Sequence, residues 1–197
     1  MTTILVVCTG NICRSPIAEG LLRRALFTRF GPEAPIVSSA GTAGLEGSGA
    51  RPESIQVASE RGAAIDQHVA RALTPDLVRG ADLVVGMAAE HRDAIGRADP
   101  DLAARTFTLK ELVRLLEALP AERTDASAEA LRGRVAEAHE LRESGFGGNR
   151  FDEDVADPLG MPLESYRAIA WELEEWVGRL VSGLWGKLSV DAGERRA

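Results

Sequence analysis

The feature that most constrains the fold is an apolar run at 4–7 (ILVV), followed without a break by the segment CTGNICRSP at 8–16 and by an amphipathic stretch that ends near Phe30. This order predicts a buried strand, a tight loop and a helix. Ser15 suits the helix cap, and Pro16 suits the first turn, where a missing N–H group costs nothing. The loop amides would then form a nest of N–H groups at the positive end of the helix, which is typical of a site for a phosphate-sized anion.

Two side chains of this loop predict chemistry at the bound anion. We expect Cys8 to lie at the base of the nest with its sulfur facing the anion. We expect the planar guanidinium of Arg14 to lie at the rim and to donate two hydrogen bonds to the anion. A helix N-terminus and a neighbouring guanidinium both favour the thiolate over the thiol. Gly10 is expected to adopt a backbone angle that most residues avoid, and Asn11 to brace the loop from inside. The alternative interpretation is a buried cysteine beside a glycine turn.

The segment VCTGNICRSP at 7–16 resembles the phosphate-binding loop of the low-molecular-weight protein tyrosine phosphatases. Their signature is V-C-x-G-N-I-C-R-S-P, and the segment matches it at every specified position. The resemblance implies a phosphomonoester hydrolase that forms a cysteinyl-phosphate intermediate on Cys8, acts on phosphotyrosine proteins and releases inorganic phosphate. It also implies a hydrogen bond from the Ser15 hydroxyl to the thiolate. The predicted phosphate-binding residues are Thr9, Gly10, Asn11, Ile12, Cys13, Arg14 and Ser15.

A thiolate phosphatase also needs a carboxylic acid to protonate the leaving group. The candidate is Asp157 in the segment DEDVADP at 152–158, because the following proline stiffens the loop and holds the aspartate extended. By resemblance this is the family's Asp-Pro loop and Asp157 is its general acid, with Asp154 as the reserve candidate. The resemblance further implies that Ser39 and His68 support Asn11 beneath the phosphate-binding loop.

The remaining chain predicts an α/β fold. Apolar strand segments alternate with helical ones, which indicates a parallel sheet covered on both faces, with ligands at the carboxyl ends of the strands. The resemblance implies a small sheet of four parallel strands. We predict one domain over 1–187 with an inserted helical segment near 118–151, followed by a charged, disordered tail at 188–197.

Composition narrows the partners. The net charge of -7 argues against a nucleic-acid-binding protein, which is usually basic. No apolar run reaches transmembrane length and no charged leader precedes the first apolar stretch, so we expect a cytoplasmic protein without membrane partners. The proposed chemistry needs no metal or other cofactor. The sequence determines neither the oligomeric state nor the physiological substrate.

Both cysteines lie in the phosphate-binding loop, which excludes a structural disulfide framework. A reversible bond between Cys8 and Cys13 would protect the nucleophile from over-oxidation, and the resemblance supports it. Cys13 is equally well interpreted as a small buried hydrophobic residue.

The sequence departs from the family pattern at the substrate walls. Aromatic residues common in the family are replaced by Leu159 after the Asp-Pro pair and by Leu45 in the loop after the second strand, with Phe146 or Phe151 as possible replacements. His91 and Arg92 are interpreted as a solvated helix face.

Three other functions stay open. The first is an arsenate reductase of the same fold that uses a small-molecule thiol, since further cysteines for the thioredoxin-coupled type are absent after Cys13. The second is a protein arginine phosphatase, although the resemblance suggests threonine in place of Ile12 in that group. The third is a non-catalytic module that binds a phosphate ligand.

Overall fold

Strands and helices alternate along the chain, as the apolar pattern predicts. The computed structural model describes residues 1–120, 125–146 and 153–187. The strands are β1 (Thr3–Cys8), β2 (Ile36–Gly41), β3 (Leu83–Gly86) and β4 (Thr106–Thr108). The helices are α1 (Arg14–Phe30), α2 (Pro52–Glu60), α3 (Pro75–Arg79), α4 (Ala89–Ala98), α5 (Leu109–Ala118), α6 (Ala128–Glu143) and α7 (Leu163–Trp185), with short 3-10 turns at Gly31–Glu33 and Pro100–Arg105.

The strands form a single parallel sheet in the order β2-β1-β3-β4, so the predicted four-stranded parallel sheet is confirmed. Successive side chains of a strand point to opposite faces. Ile4 and Val6 of β1 belong to the larger apolar core, which includes buried residues of α1, α5, α6 and α7. Leu5 and Val7 belong to the smaller core beneath α3 and α4. Helices therefore cover both faces, which explains why β1 is apolar without a break from Ile4 to Val7.

The first strand brings Cys8 to the carboxyl edge of the sheet. β1 lies between β2 and β3, and Cys8 is in register with Gly41 at the end of β2. In open parallel sheets this edge is where ligands bind. The fold therefore places the segment that follows Cys8 in the position where an anion site is expected.

Helix α6 lies within the segment near 118–151 that the sequence predicts to be an inserted helical segment. Its apolar stripe is narrow: Leu131, Val135 and Ala138 are buried in the larger core. The guanidinium of Arg142 supplements this stripe, because it lies 4.3 Å from the ring centroid of Phe107 in β4. A cation over an aromatic face is favourable, so α6 is held by charge as well as by apolar contact.

The predicted disordered tail at 188–197 and the candidate wall residue Phe151 lie outside the described residues. Among the helices of the described ranges, none is long and apolar enough to cross a membrane.

Gly41 offers a test of how closely the sheet edge approaches the phosphate-binding loop. A Cβ atom at Gly41 would lie 2.4 Å from the backbone oxygen of Thr9 and 3.0 Å from the backbone nitrogen of Asn11. Because backbone atoms cannot move aside cheaply, we expect Gly41→Ala to lower the free energy of unfolding by about 1–3 kcal/mol. Urea unfolding measures this effect.

The matched control is Gly96→Ala in α4. A Cβ atom there meets nothing within 4 Å. Because alanine has a higher helix propensity than glycine, the free energy of unfolding of this variant should rise by up to about 1 kcal/mol. Equal stability changes in the two variants would contradict the close approach at Gly41.

Candidate active site

The sulfur of Cys8 faces the helix that follows the loop. Cys8 is the last residue of β1, and its Sγ lies 2.9 Å from the hydroxyl oxygen of Ser15. The predicted contact between the two residues is therefore present. The predicted capping role of Ser15 is wrong: α1 begins at Arg14, its N-cap is Cys13, and no side chain caps it. Ser15 lies inside the first turn, where its hydroxyl points back to the sulfur instead of to a backbone amide.

The loop turns at Asn11 and not at Gly10. Among the described residues, Asn11 is the one non-glycine residue with a positive φ, at 56°, whereas the φ of Gly10 is not positive. The prediction for Gly10 is therefore wrong. Asparagine tolerates the left-handed region because its short polar side chain bonds to nearby groups. Here the Asn11 side chain is fully buried and holds the turn through its own hydrogen bonds.

Those bonds come from three directions. The Asn11 Nδ2 group donates to the Ser15 hydroxyl at 2.9 Å and to the Ser39 hydroxyl at 2.8 Å. The backbone N–H of Arg71 donates to Asn11 Oδ1 at 3.0 Å. His68 Nε2 lies 2.7 Å from the Asn11 carbonyl oxygen, and since a carbonyl only accepts, His68 carries the proton on Nε2. The structure thus brings together Asn11, Ser15, Ser39 and His68, the four residues predicted to support the loop.

Arg14 joins the loop to the segment that precedes α7. Its side chain is buried, and its Nη1 donates to the carbonyl oxygen of Val155 at 3.2 Å. Its Nη2 lies 2.5 Å from Asp157 Oδ2 and donates to the Thr9 hydroxyl oxygen at 3.3 Å. The candidate acid therefore lies at the rim of the candidate thiolate site, paired with the candidate phosphate-binding arginine.

The acid segment is anchored on β3 and α4 just before Asp157. Glu153 pairs with Arg92 at 2.9 Å, and Asp154 Oδ1 accepts the backbone N–H of Ala89 at 2.7 Å. The backbone N–H of Val155 donates to the carbonyl oxygen of Met87, also at 2.7 Å. Asp154, the reserve acid, thus satisfies a free N–H group at the start of α4 and is committed to a structural contact.

Cys8, Arg14 and Asp157 line one cavity of about 210 Å³. Its outer walls are aliphatic: Leu45 is 50 % exposed and Leu159 is 55 % exposed. Phe146 lies elsewhere, in a separate cavity that Arg92 and Glu153 also line, so it does not replace a missing aromatic wall. The base of the cavity is polar and charged, while its mouth is formed by flexible apolar side chains.

His91 and Arg92 do not form a solvated helix face. His91 is 1 % exposed, and its Nε2 lies 3.1 Å from the Thr9 hydroxyl oxygen. Arg92 pairs with Glu111 and Glu153. The prediction fails because Thr9, Glu111 and Glu153, which hold these two side chains, lie outside α4. The helical pattern of α4 alone offers no signal for them.

Comparison with known proteins identifies the family to which this chain belongs. Residues 3–122 match the family model of the low molecular weight phosphotyrosine protein phosphatases. The chain belongs to this family. A probable low molecular weight protein-tyrosine-phosphatase of Erwinia amylovora, AmsI, is 37 % identical over 134 residues, which cover 68 % of this chain and 89 % of the relative.

Two further matches extend over more of the chain. A protein-arginine-phosphatase of Geobacillus stearothermophilus is 34 % identical over 181 residues, covering 92 % of this chain and 95 % of the relative. The crystal structure of a low molecular weight protein tyrosine phosphatase from T. tengcongensis has a TM-score of 0.68 and 32 % identity, covering 92 % and 99 % of the two chains.

The protein is therefore a cysteine-based phosphohydrolase of the low-molecular-weight family, as the loop sequence predicts. The signature that carries the family resemblance coincides with the residues that build the base of the cavity. The roles of the individual residues stay predictions.

Cys13, the predicted redox partner of Cys8, is a free buried thiol. Its Sγ lies 3.7 Å from the hydroxyl of Tyr166 in α7. Burial raises the pKa of the Cys13 thiol, and burial together with the contact to Cys13 raises the pKa of Tyr166 to about 12. The environment thus favours the protonated thiol, which is the less reactive form toward an oxidised cysteine. A reversible disulfide stays a prediction.

His91 predicts a pH dependence of stability. Burial, and then the positive charge of Arg14, lower the pKa of His91, against the opposing effects of Glu90, Asp154 and Asp157. The unfolded chain binds this proton near the ordinary pKa of 6.5, so it holds more protons than the folded protein just below that pH. Protonation of His91 therefore costs the folded protein no stability above pH 6.5. The folded state loses stability as the pH falls through that value toward the lowered pKa.

We expect His91→Gln to remove this part of the acid destabilisation. The free energy of unfolding of the variant should decline less than that of the parent protein between about pH 7 and pH 5. Urea unfolding across this range is the measurement, and His139→Gln in α6 is the control for the loss of an imidazole. Parallel curves for the parent protein and His91→Gln would contradict the expectation.

Proposed function

We propose that the protein hydrolyses phosphotyrosine in proteins through a cysteinyl-phosphate intermediate on Cys8, with Asp157 as general acid and then general base. The observation that supports this most directly is that Cys8, Arg14 and Asp157 line a single cavity of about 210 Å³. Binding of phosphate alone would need neither a nucleophile nor an acid. The presence of both argues for turnover and against a non-catalytic phosphate-binding module.

In the first step the Cys8 thiolate attacks phosphorus in line, and an S–P bond forms as the P–O bond to the tyrosine oxygen breaks. Asp157 gives its proton to that oxygen, so tyrosine leaves as a neutral phenol. A phosphate dianion bound beside the carboxyl group competes with Asp157 for the Arg14 guanidinium.

In the second step a water oxygen attacks phosphorus while Asp157 takes up a proton from that water. The S–P bond breaks, its electron pair returns to sulfur as the thiolate, and inorganic phosphate leaves. Arg14 and the loop amides stabilise the charge on the equatorial phosphoryl oxygens in both steps. The Ser15 hydroxyl, 2.9 Å from Sγ, is placed to donate to the thiolate each time it forms.

Phosphoarginine is the second candidate substrate. The relative that matches over 92 % of this chain is a protein-arginine-phosphatase, so sequence identity does not separate the two substrates. Ile12 favours phosphotyrosine, since it lines the cavity with an apolar side chain where the resemblance suggests threonine in arginine phosphatases. The aliphatic walls at Leu45 and Leu159 do not exclude either substrate.

A substrate panel tests the proposed function. The parent protein and Cys8→Ser are compared on peptides that carry phosphotyrosine, phosphoserine or phosphoarginine, and on arsenate with an added low-molecular-weight thiol. We expect phosphotyrosine to be hydrolysed fastest and Cys8→Ser to lose turnover to background, because an alcohol is a far weaker nucleophile than a thiolate.

Other results of the panel would overturn this function. Preference for phosphoarginine would favour the second candidate, and arsenite formation would favour the reductase. Full turnover by Cys8→Ser would exclude the proposed intermediate.

Asp157→Asn tests the general acid. A phenolate that is basic needs a proton to leave, whereas an activated one does not. We expect the variant to slow release from phenyl phosphate by about 10²–10⁴-fold, and release from para-nitrophenyl phosphate much less. Steady-state rates on the two esters give the comparison.

Asp154→Asn is the matched control, because it alters a neighbouring carboxylate that contacts the start of α4. Any loss in this variant should be the same for both esters. An equal loss on both esters in Asp157→Asn would mean that Asp157 is not the acid.

A further inference from the structure

We propose that His91 is a positioning residue for phosphate binding, acting through the Thr9 hydroxyl on the Arg14 guanidinium. The inference rests on the proposed role of Arg14 in binding the phosphoryl group. It concerns a side chain that lies outside the signature loop, 82 positions from Thr9 in the sequence.

The Thr9 hydroxyl oxygen links the two side chains. His91 Nε2 lies 3.1 Å from Thr9 Oγ1, and Arg14 Nη2 donates to the same oxygen at 3.3 Å. His91 and Arg14 are both buried, at 1 % and 5 % exposure. A hydroxyl held between two buried groups has little rotational freedom, so the position of the ring is transmitted to the guanidinium.

The surroundings of the ring determine its tautomer. Nε2 also lies 3.4 Å from a carboxylate oxygen of Glu90. Because a carboxylate only accepts, a proton on Nε2 is favoured, and His91 then donates to Thr9 Oγ1. Arg14 donates to the same oxygen, so both of its lone pairs are used. The Thr9 hydroxyl proton is left to point elsewhere, and Thr9 lines the cavity with Cys8, where a bound oxyanion can accept that proton.

The other ring nitrogen argues that His91 is not present for core stability. Nδ1 is buried and has no hydrogen-bond partner among the described residues. A buried polar atom without a partner carries a desolvation cost, which an apolar side chain of similar size would avoid. An imidazole at this position therefore lowers stability. The contact of Nε2 with Thr9 explains why it is present nonetheless.

The backbone makes room for this ring at the sheet edge. A Cβ atom on Gly86, the last residue of β3, would lie 3.2 Å from His91 Cβ. The same first turn of α4 holds the acid segment through the backbone N–H of Ala89 and through Arg92. One turn of helix thus contacts both the phosphate-binding loop and the acid segment.

A double-mutant cycle tests whether His91 acts through Thr9. His91→Phe keeps a ring without nitrogen, and Thr9→Val keeps the shape without the hydroxyl. We expect each to raise the inhibition constant for inorganic phosphate and to lower kcat/KM on para-nitrophenyl phosphate by about 3- to 10-fold, the range of a neutral hydrogen bond. The double variant should lose no more than Thr9→Val alone, because His91 acts only through that hydroxyl. Losses that multiply would overturn the inference, as would an unchanged inhibition constant in His91→Phe.

His91→Gln separates positioning from packing, since its side-chain amide N–H can reach the Thr9 oxygen. We expect it to recover most of the phosphate affinity lost in His91→Phe in the parent background, and to recover none when Thr9 is valine. Recovery that is independent of Thr9 would point to packing and overturn the inference. Thermal unfolding confirms that each variant is folded at the assay temperature, and His139→Gln controls for loss of an imidazole.

Arg14→Lys distinguishes failure of this inference from failure of the proposed function. Lysine keeps the charge but loses the planar fork. If Arg14→Lys weakens phosphate inhibition and His91→Phe does not, the role of His91 alone is wrong. If Arg14→Lys leaves phosphate inhibition unchanged, Arg14 does not bind phosphate and both are wrong.

Discussion

The buried guanidinium of Arg14 is the interaction on which the site depends. A buried charge is tolerated only where partners compensate for the water that it loses, and Arg14 finds these partners in two segments that are far apart in sequence. Thr9 belongs to the loop after β1, while Val155 and Asp157 belong to the segment before α7. The cation therefore has two roles: it is the predicted anion-binding group of the cavity that Cys8 lines, and it holds the candidate acid at the rim of that cavity.

The loop can present its amides because Asn11 fixes its shape from below. A non-glycine residue keeps a left-handed backbone conformation only where its surroundings hold it there. At Asn11 the hydroxyls of Ser15 and Ser39, the Arg71 amide and the His68 ring supply that restraint. Ser39 passes the restraint on to α1, because its hydroxyl donates to Glu19 Oε2 at 2.5 Å. Rigidity at the base matters for catalysis, since preorganised donors stabilise developing charge without reorganising during the reaction.

The sequence predicted those parts of the site that lie close together along the chain or that a family signature marks. The strand, loop and helix around Cys8 follow from a contiguous pattern, and Asp157 follows from the proline beside it. The details that failed depend on tertiary context. Gly10 is the natural prediction for a strained angle, yet the hydrogen-bonding partners that favour the left-handed turn surround Asn11. Ser15 is predicted as the cap, but the helix begins at Arg14, two residues earlier than that prediction requires. Nothing in the local pattern of α4 marks His91, because its partner at Thr9 is brought close only by the parallel pairing of β1 and β3.

The contrast between the base and the mouth of the cavity separates chemistry from substrate choice. At the base, Cys8, Asn11 and Arg14 are buried. The Ser15 hydroxyl links Cys8 to Asn11, and Arg14 bonds to Thr9 and Val155, so a substitution there disturbs several partners at once. At the mouth, Leu45 and Leu159 are half exposed and contribute apolar surface without polar contacts that fix a ligand. An apolar wall discriminates weakly between substrates of similar size, since one methylene group changes binding by only about 1–3 kcal/mol. Under the proposed function, discrimination between an aryl and an alkyl phosphate would therefore fall to the buried residues that line the cavity, among them Ile12, and not to the leucines at its mouth.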